Sequence, residues 1–80
     1  MQKDRDFYIR LGWALRIRRK SKKIPAANMA KIIGVSYQQI CKYEAGKDRI
    51  PVDRLDTLCQ ELKIDTDWIL NWAKNVKIIE

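Results

Sequence analysis

The stretch from Met29 to Gly46, MAKIIGVSYQQICKYEAG, specifies two short helices around a tight corner. Gly34 supplies the backbone freedom for a left-handed residue after Ile33. Val35 gives the corner an apolar plug, and Ser36 is a favoured N-cap for the helix that follows. At 100° per residue, that helix places Ile40 at the centre of its buried face with Tyr43 and Glu44 beside it. Gln38, Lys42 and Ala45 point the opposite way.

The outward face holds no large apolar residue, and it carries an amide and an ammonium four positions apart. Both groups can reach base edges or phosphates, so the face suits the major groove of DNA. Together these residues resemble the helix-turn-helix of the Cro and phage-repressor (XRE) family. The likeness rests on Ala30, Gly34-Val35-Ser36, Ile40, Tyr43-Glu44 and Gly46. It continues upstream in Leu15-Arg16 and Arg19, and downstream in Arg49-Ile50-Pro51, Leu55, Leu58 and Leu62, covering roughly Leu11 to Leu70.

The resemblance implies an all-α, five-helix lambda-repressor-like DNA-binding domain over residues 1–75, with 76–80 as a C-terminal tail. It implies a transcriptional regulator, expected to be a homodimeric repressor on a palindromic operator, with no enzymatic activity, metal or cofactor. In the family, the helix from Tyr37 to Ala45 enters the major groove, with half-sites about 34 Å apart. Gln38 is then placed to read adenine and Lys42 guanine, with Tyr37 at the helix start and Gln39 on its flank as further base contacts. The competing reading is an antitoxin or antirepressor that works mainly through a protein partner.

Charge placement agrees with a polyanionic partner. The 80 residues carry a net charge of +7, and Met1 to Ile24 hold nine basic and two acidic residues against eight of each in the remainder. Between Arg16 and Lys23, six of eight residues are cationic. Beside a helix-turn-helix, Arg18, Lys20, Lys22 and Lys23 read as phosphate contacts, joined by Ser36 and by Lys47 and Arg49 in the loop after Gly46. A domain of this size buries only roughly 60% of its unfolded surface, which argues against a deep substrate cleft. There is no histidine, Gly-rich phosphate loop or nucleophile with an evident base.

Cys41 and Cys59 make no CxxC pair and read as a helix residue and a core residue. No apolar run approaches the roughly 20 residues of a membrane span, and the charged start lacks a signal-peptide core, so a cytoplasmic protein is expected.

The pattern predicts a first helix from about Asp6 to Lys20 with Phe7, Tyr8, Leu11 and Leu15 on its core face. Gly12 permits another helix to come close. Arg19, at the edge of that face, needs a carboxylate, and Glu44 sits near a helix C-terminus, where the macrodipole disfavours an anion. The family role carried to Arg19 and Glu44 is a partly buried ion pair joining the first helix to the reading helix.

A second stripe, Ile9, Trp13 and Ile17, lies away from the core and is read as a partner surface, a docking place for the C-terminus, or a more buried helix face. The second helix covers Ala26 to Ile33 behind Pro25, which tolerates a helix start. Here the chain departs from the family, whose Thr-Gln at Pro25-Ala26 braces the DNA backbone. Pro51 opens a fourth helix with Leu55, Leu58, Cys59 and Leu62 inward. Asp65 caps a fifth helix whose apolar residues exceed what one small core can take. The surplus, Trp68 and Trp72 with Val76, Ile78 and Ile79, is the expected dimer interface.

Overall fold

The long first helix, α1 (Gln2–Ser21), is the axis on which the other elements are mounted in a computed structural model that describes residues 2–75, with side chains from Asp6 to Asn75. It begins before the expected Asp6, there being no glycine or proline among the preceding residues to stop it. After it come α2 (Ala26–Ile33), α3 (Tyr37–Ala45), α4 (Val52–Leu62) and α5 (Thr66–Asn75). The described residues form an all-α, five-helix arrangement, as the pattern predicted.

The inward face of each helix supplies one sector of a single core. Leu11 and Leu15 of α1 meet Met29, Ala30 and Ile33 of α2, Ile40 and Tyr43 of α3, the four predicted α4 residues, and Ile69 and Ala73 of α5. Phe7 and Tyr8 are only partly buried and pack edge to face, with ring centroids 5.1 Å apart. Cys59 is in the core and its thiol is pushed up by burial. Both cysteines are free thiols.

Helix ends follow local chemistry. Gly34 and Gly46, both at φ 75°, close α2 and α3 with backbone N–H bonds to the preceding turn. Two lysines do the same work after α1 and α4: Lys23 and Lys63 sit at φ 60° and 59°. A side chain in that region is strained by about 1 kcal/mol or more.

α3 lies against α1 with almost no gap. A Cβ added at Gly12 would fall 2.3 Å from the Tyr43 carbonyl oxygen and 2.7 Å from that of Glu44. One added at Gly46 would fall 2.5 Å from Ile9 Cα, so that glycine is required by contact as well as by φ. Among the described residues, no helix is long and apolar enough to cross a membrane.

Candidate nucleic-acid interface

Ser36 opens α3 by accepting a hydrogen bond from Gln39 N–H at 3.0 Å. Ile40 and Tyr43 then take the inward positions, Ile40 being fully buried, and this fixes the helix rotation. Gln38, Lys42 and Ala45 are consequently exposed along one ridge. Tyr37 is 56% exposed on one flank of that ridge. Its phenol is pushed above the usual value by the neighbouring Cys41 thiol, one turn on.

The ridge is braced from behind by Arg19. Its Nε donates to Glu44 Oε2 at 2.6 Å, its Nη2 to Glu44 Oε1 at 3.0 Å, and its Nη1 to the Ile24 carbonyl at 2.6 Å. Both side chains are less than a tenth exposed. Glu44 holds the Arg19 guanidinium above its ordinary value against the opposing effect of burial. The fork thus links α1, the turn before α2, and the last turn of α3.

The loop following α3 is also pinned. Gln39 Nε2 donates to Asp48 Oδ2 at 2.9 Å, the Arg49 guanidinium lies 5.8 Å from the Tyr8 ring centre, and Ile50 is buried. Lys20, Lys22, Lys23, Ser36, Lys47 and Arg49 are exposed. At the start of α2, Pro25 provides no side-chain cap.

Two residues with expected DNA contacts are engaged within the protein. Arg18 turns away from the other cations: its Nε donates to the Leu62 carbonyl at 2.9 Å and its Nη2 to that of Lys63 at 3.3 Å, satisfying the end of α4. Gln39 is only half-buried, but one arm of its amide is occupied by Asp48. Asp48 itself went unnoticed in the sequence, where it stands as one acid in a basic loop; a carboxylate near a reading-helix amide was the available signal.

On the side of α1 away from α3, Trp13 and Trp72 stack at 6.1 Å between ring centres and 11° between planes. The Ile9-Trp13-Ile17 stripe therefore has more than one environment: Ile9 backs onto Gly46, Trp13 meets α5, and Ile17 remains 45% exposed. A groove of about 510 Å³ opens between the helices, lined by residues that include Trp13, Ile17, Trp68, Trp72, Arg18 and Lys63. Trp68 is 59% exposed. Val76, Ile78 and Ile79, the rest of the expected dimer surface, lie outside the described residues.

A corner closed by Gly34, a polar ridge turned outward and an ion-paired support together make up a helix-turn-helix. The profile described as "Helix-turn-helix" matches residues 15–69, and the chain belongs to this family of DNA-binding transcriptional regulators, in its XRE/Cro-like branch. It is 36% identical over 61 residues to an uncharacterized transcriptional regulator in the ATPase CF(0) region of Rhodospirillum rubrum, covering 76% of this chain and 56% of that protein. The chain spans about half the length of the curated relatives it matches.

Among solved structures, it is similar to the clp gene regulator ClgR of Corynebacterium glutamicum, with a TM-score of 0.78 at 25% identity over 84% of this chain and 71% of that one. The fold also matches the restriction-modification controller protein C.AhdI of Aeromonas hydrophila, with a TM-score of 0.71 at 19% identity over 78% of this chain and 94% of that one. Among the described residues, no group of three or more His, Cys, Asp or Glu side chains is placed to hold a metal ion.

Proposed function

We propose that this chain is a sequence-specific double-stranded DNA-binding regulator that acts as a homodimeric repressor on a palindromic operator. The observation that carries the reading is the exposed ridge of Gln38 and Lys42 on a helix whose other face is locked to α1. Gln38 and Lys42 read base edges, with Tyr37 contributing an exposed hydroxyl at the helix start. Lys20, Lys22, Lys23, Lys47 and Arg49 hold phosphates, and the Ser36 end of α3 adds oriented N–H groups. Arg18 is omitted from this set because its guanidinium serves α4.

A single nine-residue reading helix spans few base pairs, so a second copy supplies the second half-site. The exposed Trp68 and half-buried Trp72, on the face away from α3, support a two-fold contact there. Occupation of a promoter by such a dimer blocks polymerase sterically. The groove also supports a second reading, in which another protein binds the tryptophan face, as an antitoxin or antirepressor requires.

Selection from random duplex DNA together with sedimentation of the free protein tests the main reading. A two-fold symmetric site and a dimeric mass are expected. Lys42→Ala should relax preference at one base position, while Arg49→Ala should weaken binding to all sequences and reduce the salt slope by about one unit. Equal losses on operator and random DNA for both variants would break the division of labour. Tight association with a protein partner, insensitive to Gln38 and Lys42 changes and without site selection, would favour the second reading.

A further inference from the structure

The hydrogen bond from Gln39 Nε2 to Asp48 Oδ2, 2.9 Å long, fixes more than a distance. An ionised carboxylate offers only acceptors, whereas a side-chain amide has an NH2 on one arm and a carbonyl oxygen on the other. Turned by half a rotation, the Gln39 amide would set Oε1 against Oδ2, two acceptors with no proton between them. Asp48 therefore chooses one of the two orientations, and Oε1 is the arm left for other partners.

Resting on the DNA-binding reading above, we infer that Asp48 is a positioning residue for Gln39. By fixing the amide, it makes this flank of α3 present a carbonyl oxygen to the major groove. The groove offers each such group either an exocyclic amine, adenine N6 or cytosine N4, or an acceptor, guanine O6 or thymine O4. A freely rotating glutamine accommodates both kinds; the Gln39 held by Asp48 accepts from an amine and is repelled by an oxygen. The flank thus adds a selective contact beside the Gln38 and Lys42 ridge.

Asp48 is not the sole anchor of the loop, which is also fastened by buried Ile50 and by Arg49 against Tyr8. Its negative charge also opposes binding to any polyanion. Removing that charge should therefore raise general DNA affinity while lowering selectivity, a combination that damage to the fold does not produce.

The test is selection from random duplex DNA, with affinities for operator and random duplex, on the wild-type chain, Asp48→Asn, Asp48→Ala, Gln39→Ala and the Gln39→Ala/Asp48→Asn double variant. Circular dichroism and melting establish that each is folded. The wild type should favour an amine-bearing base by about tenfold at one position of each half-site. Asp48→Asn and Asp48→Ala should reduce that preference to within about twofold while keeping the other positions and binding random duplex at least as tightly.

Gln39→Ala should erase the same position, and Asp48→Asn should change nothing further in its background. A wild-type site left unchanged by both Asp48 variants overturns the inference and leaves the DNA-binding reading standing. A uniform loss at every position overturns it in favour of a structural role. If the wild type selects no sequence, the reading beneath it fails and the inference falls too.

Discussion

Against α3, α1 lies backbone to backbone at Gly12 and grips Glu44 through two nitrogens of Arg19, whereas against α5 it reaches across with long side chains. On that second side, Arg10 donates to the Ala73 carbonyl, Arg18 donates to the end of α4, and Trp13 stacks on Trp72 beside an open groove. The first contact has no slack, because carbonyl groups cannot rotate out of the way as side chains can. The second can be repacked. The unyielding contact holds the outward face of α3 in fixed alignment, and the spare apolar surface lies on the opposite side of α1.

The sharpest way to break this contrast is Gly12→Val. Its branched side chain must displace the α3 backbone, and a loss of about 3 kcal/mol or more is expected in urea unfolding, with operator affinity lost alongside stability. Ordinary stability in that variant would mean that α3 is free to move. Next, Glu44→Ala leaves Arg19 buried with only the Ile24 carbonyl and should cost about 3 kcal/mol. The paired Arg19→Met, Glu44→Leu variant should recover much of that loss, since no charge is then stranded; chemical denaturation of the three proteins provides the check.

On the yielding side the effects should be smaller. Arg18→Met should cost about 1 kcal/mol by uncovering the α4 carbonyls while leaving the salt dependence of DNA binding unchanged. Lys22→Met should do the reverse, lowering the salt slope by about one unit with little change in melting. A salt slope that falls in both would return Arg18 to the phosphate contacts. Smallest is Lys63→Gly, which relieves a left-handed lysine and should add about 0.5 kcal/mol, visible as a higher melting temperature. The chain should gain nothing if Lys63 is unstrained.

Much of the fold was legible because it is written in short range. The corner at Gly34, the Ser36 cap and the α2 and α3 boundaries depend on residues within one or two turns, and the spacing of Leu55, Leu58, Cys59 and Leu62 needs only helical periodicity. The outward position of Gln38 and Lys42 follows from the same arithmetic once Ile40 is inside. Reading Arg19 with Glu44 was possible because each was locally ill at ease, one a cation on a core face and the other an anion at a helix C-terminus.

The tertiary structure alone decided how the long side chains were used. Six cations in eight residues look alike as a string, yet Arg18 serves carbonyls 44 and 45 positions away while its neighbours Lys20, Lys22 and Lys23 remain in solvent. Gln39 becomes a group of fixed polarity only because the loop returns Asp48 to its side, and Trp13 gains Trp72 only because α5 lies along α1. Local sequence fixes backbone dihedrals and helix faces, which depend on near neighbours. The partner of a flexible side chain is set by which distant backbone the finished packing places within its reach.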